Sequence, residues 1–179
     1  MNIAKLIFAA ARQYPLAPAL TDIGGTKSYA EFGARAGSLA ASMLTQRIAP
    51  GERVVLYMEN NSAFFECLVA CWIVGACPVP VNAKLHVREL AYIVSDCRAA
   101  LLFTDATLHN DVAAELVQEA AEVRILSVDS PEYARMAGSQ GLQPMDLSAA
   151  SDAWQFYTSG TTGRPKGAVL THGNLLAMC

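Results

Sequence analysis

The stretch "GERVVLYMENNSAFFECLVACWIVGACPVPVN", Gly51–Asn82, holds a strand, a helix and a second strand in succession. "RVVLYM", Arg53–Met58, is a short apolar run entered through Pro50-Gly51-Glu52 and left through Glu59-Asn60-Asn61. That is the pattern of a buried strand. Asn60, Asn61 and Ser62 then offer side-chain oxygens to the free N–H groups of a helix start. The helix through "AFFECLVACWIVGA" is apolar nearly all round, a composition that predicts burial inside a larger body. "CPVPVN", Cys77–Asn82, returns to a strand. A strand, a crossover helix and a strand at this pitch make a βαβ unit, and with it a parallel sheet.

The same alternation continues on the C-terminal side. "VRELAYIVSDC" (Val87–Cys97) reads as a helix, "AALLFTD" (Ala99–Asp105) as a strand, "ATLHNDVAAELVQEAAE" (Ala106–Glu122) as a helix and "VRILSV" (Val123–Val128) as a strand. Upstream, "ALTDIGGTKSYA" reads as a small hairpin turning at Gly24–Gly25, feeding a helix from roughly Ala30 to Arg47. Ile3, Leu6, Ile7 and Ala10 fall at helical spacing and predict an amphipathic first helix. From Asp129 to Ser151 the pattern weakens into Pro, Gly, Ser and Gln, which reads as a loop. "WQFYT" (Trp154–Thr158) is expected to be another buried strand, "AVL" (Ala168–Leu170) a short strand, and "THGNLLAMC" the first turns of a helix capped by Thr171. The expected fold class is α/β, a mainly parallel sheet flanked by helices.

Composition narrows the function. The chain of 179 residues suits one domain, with 53% apolar and 16% charged residues. A net charge of −3 supplies no basic field for nucleic acid. The uncharged run Leu6–Ala11 is closed by Arg12, too early for a secretory signal. The longest apolar tract, Cys67–Val81, contains Pro78 and Pro80 and is too short for a transmembrane segment. A cytoplasmic location is expected. Of the five cysteines, Cys67 and Cys71 share a helix face at i, i+4 and could form half a metal site. Without a nearby His or Cys to complete it, they read as small core hydrophobes. His86 and His109 read as helix-end or surface groups, and Glu31 as a cap carboxylate.

"YTSGTTGRPKG", Tyr157–Gly167, crowds hydroxyls and glycines beside a lysine. Gly160, Gly163 and Gly167 would let backbone N–H groups approach phosphate oxygens; Thr158, Ser159, Thr161 and Thr162 add hydroxyl donors, and Lys166 a positive charge. This is not G-x-x-x-x-G-K-[ST]: Pro165 stands where the second glycine would be, and Gly167 where a Ser or Thr would bind magnesium. No G-x-G-x-x-G occurs either. From the residues alone, a phosphate loop and a structural turn between two strands both stand.

"YTSGTTGRPKGAVLTHGNLLA" resembles the signature phosphate loop of the AMP-forming acyl-CoA synthetase family, which includes luciferases and the adenylation domains of peptide synthetases. The resemblance extends upstream through "SYAEFGARAGSLA", "GERVVLYMENNSAFFECLVACWIVGACPVPVNAKLHVREL" and "SDCRAALLFTD", and so covers in effect the whole chain, more loosely before Trp154. It implies a ligase in which a carboxylate attacks the α-phosphorus of Mg·ATP to give an acyl-adenylate and pyrophosphate, and coenzyme A then takes the acyl group as a thioester. It implies that Thr158, Ser159, Gly160, Thr161, Thr162, Gly163 and Lys166 line the β- and γ-phosphates of ATP, while Pro165 and Gly167 shape the backbone. Arg164 is assigned no function, and His172 and Asn174 are read as helix-start packing.

By the same resemblance, residues 1–179 form the N-terminal part of an adenylate-forming domain, truncated inside the helix that starts near 171. The acyl, adenine, Mg²⁺ and catalytic-lysine sites and the small lid domain would lie later, so no catalytic set is complete here and no activity is expected from these residues alone. The implied partners are a small carboxylic acid, ATP, Mg²⁺ and coenzyme A, with self-association expected through exposed apolar faces. Two other readings remain open: an adenylation domain that loads a carrier protein, and a non-catalytic nucleotide-binding module.

Overall fold

Apolar β-branched runs become the centre of the structure, a computed structural model that describes residues 1–118, 123–158 and 164–178. Strands β3 (Arg53–Tyr57), β4 (Cys77–Val81), β5 (Leu101–Thr104) and β6 (Arg124–Ser127) form a parallel sheet in the order β4-β3-β5-β6. Alternate side chains leave its two faces. Val54, Leu56, Leu101, Phe103 and Leu126 enter one core, and Val55, Tyr57, Val79, Val81 and Leu102 the other.

Helices cover both faces. Helix α3 (Ser62–Val74), α2 (Tyr29–Thr45) and α1 (Ala4–Gln13) share the first core. Helices α4 (Val87–Cys97) and α5 (Ala106–Gln118) cover the second, through Leu90, Ile93, Val94, Val112 and Leu116. All but two of the 13 residues of α3 are buried. The burial predicted from its all-round apolar surface is therefore met within this chain, by the sheet and by α2. Asn61 caps α3 through Phe64 N–H at 3.0 Å, and Gly75 ends it in a left-handed turn at φ 77°.

Two antiparallel hairpins flank this body. β1 (Pro18–Asp22) and β2 (Gly25–Ser28) form the expected small one, and β7 (Asp152–Thr158) and β8 (Lys166–Thr171) the second. β7 lies alongside β4 without laddering to it among the described residues. Prolines explain the break. Cys77 N–H points toward β3, donating to Glu52 O at 2.8 Å, so positions 78 and 80 turn the other way, and proline at both removes the donors from that edge. The expected buried strand at 154–158 is thus a half-buried hairpin strand, with Ala153 and Gln155 inward and Trp154, Phe156 and Tyr157 only partly covered.

Two further expectations need correction. The segment read as a loop from Asp129 to Ser151 contains α6 (Pro131–Ala137), started by Ser130, whose hydroxyl accepts from Tyr133 N–H at 3.1 Å. The first helix buries Ala4 and Phe8, with Ile3 and Ile7 packed beside them, while Leu6 is 43% exposed. A buried polar cluster ties three helices together: Arg35 of α2 donates to Glu66 of α3 at 2.5 and 2.9 Å, and Tyr133 of α6 donates to the same carboxylate at 2.7 Å.

Candidate functional site

Chain direction selects one end of the sheet. The connection after β3 passes over one face, and those after β4 and β5 over the other, so the strand order reverses between β3 and β5. In open parallel sheets, ligand crevices form outside the carboxyl ends of the strands at such a reversal. There Asp105 bridges the two strands, accepting from Glu59 N–H at 3.2 Å while its other oxygen accepts from Thr107 and Leu108 N–H at 3.0 and 3.1 Å. That carboxylate is engaged as a cap. Beside it, a cleft of about 350 Å³ opens between Glu59, Asn60, Asn82 and Lys84.

The second hairpin brings Thr158 and Lys166, which flank the glycine- and hydroxyl-rich stretch, to this same end. Its base is fixed at the opposite end of β3, where the Arg53 guanidinium donates to Asp152 Oδ2 at 2.7 Å and Gln155 Oε1 at 3.0 Å. Trp72 Nε1–H also donates to Ala153 O at 2.6 Å. From this base β7 runs toward the carboxyl end of β4. Its last residue, Thr158, stands opposite Lys166, the first residue of β8. Both are exposed. Among the described residues no carboxylate lies within ion-pair distance of Lys166. A hydroxyl and an ammonium thus face each other across the mouth of the loop. Ser159, Gly160, Thr161, Thr162 and Gly163 lie outside the described residues.

The limbs of the loop close a smaller cleft of about 150 Å³ between Val81, Asn82, Glu89, Ile93, Thr158 and Pro165. It adjoins the larger one through the end of β4. Gly167 pairs with Tyr157 across the hairpin, and a Cβ there would sit 3.1 Å from Tyr157 Cζ and 2.8 Å from Gln155 Nε2. The shaping role expected of Gly167 therefore has a steric cause: its missing side chain leaves room for the Tyr157 ring. The phenol donates to Asp96 Oδ2 of α4 at 2.6 Å and accepts from Gln155 Nε2 at 3.1 Å. Burial and the Asp96 carboxylate raise its pKa, so it remains a proton donor in that bond. Arg164 lies over the Tyr92 ring, 5.9 Å from its centroid.

The remaining singled-out residues are structural. Thr171 and Asn174 form a reciprocal cap on α7 (His172–Leu176). His172 is fully buried; its Nδ1 accepts from Ile3 N–H at 3.3 Å, so its proton sits on Nε2, and burial lowers its pKa. Glu31 completes the capping box of α2 with Ser28, and His86 with Glu89 that of α4. Cys67 and Cys71 are buried in the core, where desolvation raises both thiol pKa values. Among the described residues no three His, Cys, Asp or Glu side chains come together as a metal site, and no helix is long and apolar enough to cross a membrane.

Comparison with known proteins gives the same direction. Residues 7–179 match the family described as AMP-binding enzyme. A feruloyl-CoA synthase from Amycolatopsis sp is 38% identical over 171 residues, covering 94% of this chain and 33% of that protein. The chain thus spans about a third of that relative. The hybrid PKS-NRPS synthetase LUC5 from Fusarium sp is 33% identical over 155 residues, covering 87% of this chain and 4% of that protein. Among solved structures, the inhibitor-bound N-terminal domain of FACL13 from Mycobacterium tuberculosis superimposes with a TM-score of 0.86 at 28% identity, covering 96% of this chain and 44% of that one.

Proposed function

The chain belongs to the AMP-binding enzyme family, and on that premise we propose that it is part of an ATP-dependent, AMP-forming carboxylic acid–CoA ligase, acting in the cytoplasm. The observation that carries the reading is the pairing of Thr158 with Lys166 at the hairpin tip, beside the carboxyl ends of the parallel strands. A hydroxyl and an ammonium that meets no carboxylate among the described residues suit a polyanion such as the β- and γ-phosphates of ATP. ATP supplies the activation: a carboxylate becomes reactive toward a thiol once its oxygen belongs to a good leaving group. The role left to these residues is to bind and orient the phosphates and to neutralise their charge. Lys166 offers a flexible point charge, and Thr158 a directed O–H donor. Ser159, Gly160, Thr161, Thr162 and Gly163 complete the proposed phosphate loop. No residue here is assigned to Mg²⁺ or to coenzyme A.

The test is acid-dependent pyrophosphate release from ATP by the full protein, across a panel of aromatic and fatty acids. Lys166→Ala is expected to lower it roughly 10–100-fold, the weight of a lost charge-assisted contact. Pyrophosphate release unchanged in both Lys166→Ala and Thr158→Val would remove the loop from the reaction. A second reading, transfer to a carrier-protein thiol, is favoured by the similarity to LUC5. Thioester formation with free coenzyme A, set against a phosphopantetheinylated carrier, separates the two.

A further inference from the structure

Both limbs of the proposed phosphate loop rest on one stripe of one helix. Glu89, Tyr92, Ile93 and Asp96 of α4 are spaced i, i+3, i+4 and i+7, which places them along a single edge of the helix. On the outgoing limb, Tyr157 donates its phenolic proton to Asp96 at 2.6 Å. On the return limb, Arg164 stacks over Tyr92 at 5.9 Å, and Pro165 shares a cleft wall with Glu89 and Ile93.

The helix is a firm base. Leu90, Ile93 and Val94 are buried against the sheet, and the Tyr57 hydroxyl donates to Leu85 O at 2.6 Å just before the helix begins. The loop limbs have little other support on this side. Thr158, Arg164, Lys166 and Gly167 are exposed, and β8 is exposed along most of its length.

We propose that α4 is the seat of the phosphate loop, and that Tyr92 and Asp96 are its positioning residues, fixing where Thr158 and Lys166 are presented to the triphosphate. The proposal rests on the phosphate-loop reading for its ligand, but the seating can be measured without it. Arg164, a position to which the loop motif assigns nothing, gains a role as the cation that pins the return limb. Glycine alone at 167 lets Tyr157 lean over β8 and reach Asp96.

The experiment uses the full protein with Tyr92→Leu, Tyr92→Trp, Asp96→Ala and Asp96→Asn. Native trypsin reports the seating directly: it cuts after Lys166, while the Arg164–Pro165 bond is closed to it. Cleavage of a segment that opens and closes rapidly tracks its open population. An exposed cation–π contact then predicts cleavage about two- to fivefold faster in Tyr92→Leu. Asp96→Ala should accelerate cleavage at least as much. Tyr92→Trp and Asp96→Asn, which keep an aromatic face and an acceptor, should restore the slow rate. Arg164→Gln should match Tyr92→Leu, with the double variant no faster, because one contact is lost once.

ATP affinity, measured by calorimetry, should weaken in the same order of variants but by smaller factors than cleavage rises, since it follows the fraction of loops still seated, with the melting temperature unchanged. Unchanged cleavage in both Tyr92→Leu and Asp96→Ala overturns the seat. So does a lowered melting temperature that Tyr92→Trp and Asp96→Asn fail to restore. If the variants change cleavage but the wild type binds neither ATP nor tripolyphosphate, the seat stands and the phosphate-loop reading falls. If ATP binds and no variant alters affinity or cleavage, the seat alone falls.

Discussion

The four-stranded sheet and the β7–β8 hairpin are both built of short strands but held by different forces. Leu101, Leu102 and Phe103 of β5 are completely buried, and helices cover both sides of that strand. β7 buries only alternate residues and β8 is largely exposed, so the hairpin takes its place from a few directed contacts: Arg53 to Asp152 and Gln155, Trp72 to Ala153, and Tyr157 to Asp96. Burial is non-directional and sums over area, which makes the sheet a stable platform. Hydrogen bonds fix geometry at modest net energy, which suits a segment that must present side chains to a ligand.

Three measurements would sharpen or break this contrast. The largest effect is expected from Phe103→Ala, which removes a fully buried ring that meets Tyr133 edge-on at 6.3 Å. It should cost about 3–5 kcal/mol in global unfolding by urea. A loss below roughly 1 kcal/mol, the range of ordinary surface changes, would deny the sheet its role as platform.

Arg53→Ala should come next, removing the bonds to Asp152 and Gln155 that tie the hairpin base to β3. Bonds to a charged group are each worth about 1.5–3 kcal/mol when well shielded, and this partly exposed pair belongs at or below the low end. The expected signature is faster amide exchange in 152–158 with little change in 101–104. Equal acceleration in both would show the two regions to be one cooperative unit.

The smallest effect concerns His172, at the foot of the hairpin. Its pKa is lowered in the fold by burial, so the unfolded chain binds more protons as the pH falls through the ordinary histidine range. Stability attributable to it is therefore full above that range, and declines as the pH drops toward the lowered folded value. His172→Asn should flatten that slope in urea titrations between pH 7 and 5. A wild-type slope that is absent or of opposite sign would contradict the buried neutral imidazole.

Much of this molecule was legible in its sequence because the relevant signals are local. The run Arg53–Met58, the cap at Asn61 and the helix that follows are decided by side-chain period and backbone donors within a few residues. The hairpin turn at Gly24–Gly25 and the caps at Ser28 and Thr171 are similarly local. Helix α6 was legible too. Ser130-Pro131-Glu132 is an N-cap, an N1 proline and a first-turn acid, a pattern hidden by the Gly- and Gln-rich residues after it. The buried face of α1 is rotated from the Ile3-Leu6-Ile7-Ala10 spacing, because Leu6 and Phe8 are both apolar and packing against α2 and α3 selects between them.

For the site, the sequence by itself determined the chemistry: hydroxyls and glycines beside Lys166, with Pro165 and Gly167 excluding a Walker loop. It also determined the parallel layering that creates a crevice at the carboxyl ends of the strands. Only the tertiary structure decided that Thr158 faces Lys166 across a hairpin mouth, that Tyr157 reaches Asp96, and that Arg164 lies over Tyr92. The physical reason is range. Period, capping and proline chemistry act between neighbours along the chain, whereas the hairpin's seat depends on directed contacts between residues some sixty or more positions apart, which exist only after the sheet and α4 have formed.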